Sequence, residues 1–166
     1  MSSRENLEAA FAGESQANRK YLAFAKKADT DGYPQVAKLF RAAAEAETIH
    51  AHSHFKALGG VGDTAGNLVD AVAGEGYEFR EMYPKFVEEA EAEGNDAALR
   101  SFRFALAVEE VHHGLYEKAL EAVRGGGDLA GMPIHVCPVC GNTFEGETPD
   151  KCPVCNVPKE KFFEVK

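Results

Sequence analysis

One short pattern of acidic and imidazole side chains occurs twice in this sequence. Asn6-Leu7-Glu8-Ala9-Ala10-Phe11-Ala12-Gly13-Glu14 returns 61 residues later as Asn67-Leu68-Val69-Asp70-Ala71-Val72-Ala73-Gly74-Glu75. Phe40-Arg41…Glu47-Thr48-Ile49-His50 returns 62 residues later as Phe102-Arg103…Glu109-Glu110-Val111-His112. Each copy supplies a single Glu followed by a Glu-x-x-His. The i, i+3 spacing puts Glu47 with His50, and Glu109 with His112, on one face of a helix. Together the copies hold the ligand set of a two-metal site built from four helices. Glu78, one turn after Glu75, adds a fifth carboxylate. Carboxylates gathered in an apolar interior repel one another and lose their hydration, so the cluster calls for cations. Hard oxygen ligands with some imidazole suit iron or manganese.

A second Glu-x-x-His, Glu110 with His113, competes for this register. The repeat offset and the apolar stripe favour Glu109 and His112, leaving the other pair to face away. His52 is expected on the solvent face. His54 follows His50 by one turn and is expected as a satisfied histidine beside the site.

All four cysteines lie near the C-terminal end, as Cys137-Pro138-Val139-Cys140 and Cys152-Pro153-Val154-Cys155. Paired Cys-x-x-Cys motifs in a reducing compartment read as a tetrahedral metal site rather than as disulfides. The spacing alone fits a zinc ribbon as well as an iron site.

These residues need a scaffold of long helices, and the apolar periodicity predicts four. The first covers 3–29 on Leu7, Phe11, Glu14, Asn18, Tyr21 and Ala25, with Ser2 and Glu5 as a capping box. The second covers about 34–58 and closes at Gly59-Gly60. A third, about 67–93, contains Pro84, which predicts a kink or a split between Arg80 and Tyr83. Gly94-Asn95-Asp96 stops it and caps a fourth helix over about 96–124. Gly125-Gly126-Gly127 then marks a boundary, giving a helical domain over 1–126 and a metal domain over 127–166 with short β-like runs at Ile134–Val136 and Lys161–Val165.

Ala12-Gly13-Glu14-Ser15, Glu47-x-x-His50, Gly74-Glu75-x-x-Glu78-x-x-Glu81-Met82-Tyr83-Pro84, Glu109-x-x-His112 and the four-cysteine tail together closely resemble the rubrerythrin family, in the same order along the chain. The resemblance implies a mainly α fold: a ferritin-like four-helix bundle plus a small C-terminal rubredoxin-like β/loop metal domain. It implies two carboxylate-bridged iron ions held by Glu14, Glu47, His50, Glu75, Glu78, Glu109 and His112. It also implies one iron held by Cys137, Cys140, Cys152 and Cys155, with zinc as its possible replacement. Glu47 and Glu109 would bridge the pair. Glu78 would bind in the oxidised state and give way to His50 on reduction. Tyr21 and Tyr83 match family tyrosines beside the site. The tail departs from the rubredoxin pattern in its short central segment and in Asn156, which stands where glycine is expected.

The implied activity is that of a non-haem di-iron peroxidase acting in oxidative-stress defence. It reduces hydrogen peroxide to water with electrons relayed through the four-cysteine iron. A ferroxidase of the ferritin kind is the alternative. No dinucleotide-binding βαβ unit is evident, so an external NAD(P)H-dependent reductase or a rubredoxin is the expected electron donor.

Composition narrows the rest. A formal net charge of −9 without a basic stripe argues against nucleic acid. No apolar run approaches the roughly 18 residues of a membrane span, and the first residues lack signal character, so a cytoplasmic location is expected. The connection over about 59–66 reaches on the order of 30 Å when extended, short of the roughly 37 Å length of the second helix. A crossover within one chain is therefore strained. A domain-swapped homodimer is expected, with Glu14, Glu47 and His50 from one chain facing Glu75, Glu78, Glu109 and His112 of its partner.

Overall fold

Ser2 opens the first helix. In the computed structural model, which describes residues 2–166, its hydroxyl accepts from the Glu5 amide while the Glu5 carboxylate accepts from the Ser2 amide. Helix α1 then runs over Ser3–Thr30 and α2 over Pro34–Ala57, with Pro34 in the first turn where its missing N–H is harmless. The two pack along an alanine-rich seam, Ala25, Ala28, Ala37, Ala44 and Ala51 all being buried. Such small residues let the backbones approach. Asn18 crosses the seam, donating from Nδ2 to the Ala44 carbonyl and to Thr48 Oγ1, both at 2.8 Å.

The third helix begins earlier than the periodicity predicts. Asp63 accepts from the Gly66 amide at 2.7 Å and caps α3 over Thr64–Tyr77. The kink or split expected between Arg80 and Tyr83 is present as a split, made by a change of helix type. Glu78–Met82 forms a π-helical turn, closed by the Tyr83 amide donating to the Glu78 carbonyl, and α4 resumes over Tyr83–Glu93. Pro84 lacks an amide and leaves the preceding turn short of a donor, so the helix widens there. Gly94, at φ 66°, ends α4 in the left-handed conformation, and Asn95 caps α5 over Asp96–Arg124.

Three short strands follow: β1 (Ile134–Val136), β2 (Thr143–Glu145) and β3 (Phe163–Val165). They form an antiparallel sheet in the order β2-β1-β3, with His135 opposite Phe144 and Glu164. The strand β2 had no expectation in the sequence. Phe144 and Phe162 stack at 4.8 Å between ring centroids.

Two compact units result, one ending at Gly62 and the other spanning Asp63–Lys166. The first is the α1–α2 pair. The second joins α3, the π turn, α4 and α5 to the cysteine-bearing sheet. Among the described residues no helix is long and apolar enough to cross a membrane.

Candidate metal centre

In the first unit, Glu14 projects from α1 toward Glu47 and His50 on α2, and the ligating atoms of all three lie within 4.8 Å of one another. His50 Nδ1 is 3.2 Å from Glu47 Oε2. The Glu14 carboxyl bonds to that of Glu47. This bond, reinforced by burial, raises the Glu14 pKa and lowers that of Glu47, which His50 also favours in its charged form. The two carboxyls are thus poised to share one proton, as close like charges must. His54 adds a weak favourable field at Glu14, and His52 is exposed.

The second unit repeats the arrangement. Glu75 on α3 meets Glu109 and His112 on α5, again within 4.8 Å. His112 Nδ1 stands 2.8 Å from Glu109 Oε2 and 4.0 Å from Glu75 Oε2. Burial first, and the Glu109 charge second, push the Glu75 carboxyl up to about 7. Its Oε2 is buried without a hydrogen-bond partner among the described residues. A buried oxygen left unpaired costs on the order of several kcal/mol. A cation between Glu75, Glu109 and His112 satisfies it, so this donor set fits a hard metal ion.

Glu78 stands outside the triad at the start of the π turn. Its pKa is raised by burial and then by Glu109, so its carboxyl feels the same charge cluster. Burial also raises the Tyr83 pKa, and the charges of Glu78, Glu109 and Glu75 add to it, which places that phenol at the cluster. Tyr21, by contrast, lies in an aromatic group in the first unit, 6.3 Å from Phe24 and 6.2 Å from Phe40 between ring centroids.

The rival pair separates. Glu110 is exposed, whereas His113 is buried, with Nε2 3.4 Å from an Arg80 guanidinium nitrogen and its ring edge-on to Phe79 at 5.1 Å. His113 braces the π turn, a role its motif did not signal. Gly76 leaves room for it: a Cβ there would lie 3.2 Å from His113 Cδ2.

The four thiols converge on one point. Sγ of Cys137 is 3.5 Å from that of Cys155, and Cys140 is 3.5 Å from Cys152. Those spacings approach the roughly 3.8 Å edge of a tetrahedron with metal–sulfur bonds of about 2.3 Å. All four cysteines are free of disulfides. Burial opposes ionisation of Cys137, but the Cys140 and Val139 amides outweigh it and bring the thiol down to about 7. Burial drives Cys140 far upward, against the pull of the Asn142 amide. A cluster with one easily formed thiolate and reluctant neighbours is what a metal ion completes by displacing the remaining protons. Gly141 at φ 87° and Asn156 at φ 60° take the matching left-handed positions after each knuckle, so Asn156 does fill the place of a glycine.

Two helix-borne Glu/His triads and a four-sulfur knuckle in one chain define a ferritin-like helical metalloprotein with a rubredoxin-like module. Sequence comparison agrees: the rubrerythrin family model matches residues 5–120, and the model of the rubrerythrin rubredoxin-like domain matches residues 135–163. Rubrerythrin-2 of Clostridium acetobutylicum is 35% identical over 94% of this chain and 92% of its own length. Nigerythrin of Nitratidesulfovibrio vulgaris is 39% identical over 97% of this chain and 85% of its own. The solved structure of fully reduced, all-ferrous nigerythrin superposes with a TM-score of 0.60 at 36% identity, covering 99% of this chain and 87% of that one. The chain belongs to the rubrerythrin family. Its cofactors are accordingly a di-iron pair and one iron in the four-cysteine site, which makes it an iron-dependent oxidoreductase.

Proposed function

We propose that the chain is a peroxidase that reduces hydrogen peroxide to water in oxidative-stress defence, in the cytoplasm, with electrons from an external NAD(P)H-dependent reductase or a rubredoxin. The observation that carries this reading is Glu78. Its counterpart in the first repeat is Ala17, so one half of the pattern holds an extra carboxylate at the edge of its triad. Glu14, Glu47 and His50 would hold one side of the iron pair, and Glu75, Glu109 and His112 the other. When bound, the pair would supply the two electrons that, with two protons, turn one peroxide into two waters, and a cysteine-held iron would resupply them singly.

The protein's own groups manage charge and protons. Burial and Glu109 raise the pKa of Glu78, so its carboxyl can take and give up a proton close to the cluster. The Tyr83 phenol keeps its proton, because burial and the adjacent carboxylates oppose its ionisation. It can therefore donate a hydrogen bond to an oxygen at the site. Glu78 as an anionic ligand before reduction, with His50 in its place afterwards, would keep the net charge at the pair nearer balance.

Each triad lies within a single unit. The linker between α2 and α3 is only residues 58–63, shorter than the sequence suggested. Extended, it reaches about 20 Å, against roughly 36 Å for α2. Leu39 and Ile49 on α2 are 69% and 68% exposed, apolar surface that association would cover. These features support a homodimer that swaps α1 and α2 between copies.

The test is rapid mixing of anaerobically reduced, iron-loaded protein with peroxide or with oxygen. Peroxide should reoxidise the pair far faster, with one peroxide consumed per pair. Preferential reaction with oxygen, or sustained oxidation of added Fe(II), would instead favour a ferroxidase.

A further inference from the structure

His112 is held from both sides. Its Nδ1 faces Glu109 and Glu75, while its Nε2 lies 3.0 Å from the Thr143 hydroxyl on β2 of the cysteine module. That hydroxyl donates its own proton to the Gly141 carbonyl at 3.3 Å. With that hydrogen so committed, Thr143 Oγ1 keeps lone pairs that can accept from Nε2–H when a metal takes the Nδ1 side of the ring. His50, the repeat counterpart, bonds Glu47 through Nδ1 and has no Nε2 partner among the described residues.

We propose that Thr143 is a positioning residue for His112: its hydroxyl anchors Nε2 so that Nδ1 stays aimed at the metal position between Glu75 and Glu109, and it accepts from Nε2–H when Nδ1 ligates. A ligating imidazole whose second nitrogen is anchored has a fixed ring plane and a more basic ligating nitrogen. What is unusual here is the source of the anchor. It comes from the second metal module rather than from the helices that carry the ligands.

The module is well seated for this. A Cβ at Gly141 would lie 3.8 Å from Val108 Cγ1, on the residue before Glu109. Lys118 of α5 pairs with Glu145 at 2.5 Å, two residues beyond Thr143. The segment between is tied to the knuckle, since the Cys137 amide donates to the Asn142 carbonyl at 2.9 Å and the Asn142 amide reaches the Cys140 sulfur. Thr143 therefore sits at the end of a short, braced path from the cysteine site to the helical one.

The inference rests on His112 being a ligand of the pair, and the experiment separates the two. Thr143→Val keeps shape and removes the hydroxyl; Thr143→Ser restores it. The probe is zinc, titrated into the full chain and followed by 15N-resolved imidazole NMR. On zinc binding the wild-type chain should show the Nδ1 signal of His112 shifted by the metal and the proton held on Nε2. In Thr143→Val zinc affinity at the helical site should fall about 10- to 100-fold, with Thr143→Ser recovering it. The cobalt spectrum of the four-cysteine site, unchanged in both variants, reports that the module is folded. If zinc moves the His112 nitrogens alike in wild type and Thr143→Val, with equal affinity, the positioning role is wrong while the ligand assignment stands. If zinc leaves His112 unmoved even in the wild type, the ligand assignment is wrong and the proposal falls with it.

Discussion

Gly76 and His113 are in near contact: a methyl group on Gly76 would come within 3.2 Å of His113 Cδ2 and 3.4 Å of Nε2. This closeness lets the imidazole pack on the side of α3 one residue round from Glu75 and brace Arg80 and Phe79 of the π turn. Gly76→Ala should therefore destabilise the protein by about 1–3 kcal/mol through overpacking. Urea denaturation checks this. An unchanged midpoint would mean that the imidazole retreats freely.

Glu78 is expected to be needed for turnover more than for metal retention, since it stands beside the Glu75–Glu109–His112 triad rather than within it. Glu78→Ala should keep both irons of the pair by metal analysis and lose most peroxidase turnover. Full activity in this variant would remove the central argument for peroxide reduction.

The Glu75 carboxyl, raised by burial and by Glu109 from 4.5 to about 7, sets a pH dependence. Between those values the metal-free folded state binds a proton that the unfolded chain does not. The Glu75 contribution to stability therefore becomes less favourable as pH rises from 4.5 to about 7, and levels off above. Metal uptake must expel the same proton. Zinc binding should release more protons near pH 6 than near pH 8, as about one proton per Glu75 becomes available. A pH-indicator titration reads the difference, which should shrink in Glu75→Gln.

Swapping can be tested by complementation. Glu47→Ala damages one triad and Glu109→Ala the other. If copies exchange α1 and α2, mixing and reassembling the two variants yields dimers with one intact site, about a quarter of all sites statistically. Peroxide turnover should return to that extent. A chain that completes its own site would give none.

Much of this arrangement is written in local signals. Ser2 with Glu5, Gly94 with Asn95, and the glycines at 125–127 mark helix ends because caps and left-handed turns depend on a few adjacent residues. Both triads follow from the repeat, since an i, i+3 pair on a helix faces one way regardless of its neighbours. What stayed hidden depends on contacts distant in sequence. The strand β2 is three residues long and exists because β1 pairs with it. His113 looked like half of a surplus motif, and only its packing against Arg80, Phe79 and Gly76 gives it a role. Asp63 caps α3 from within what read as part of the 59–66 connection. Pro84 did announce a disturbance, but a proline cannot by itself say whether a helix bends or widens.

The π turn also carries a geometric consequence. Each α-helical residue rotates the chain by about 100°, and the wider turn over Glu78–Met82 absorbs one residue more than an α-helical turn does. Tyr83 and Phe86, which pack against Phe102, thus keep an angular phase that an uninterrupted helix could not give them. Deleting one residue from this segment would tidy the hydrogen-bond ladder and swing Tyr83 away from the carboxylates. At this point in the chain, regularity and alignment are opposed, and the sequence has kept alignment.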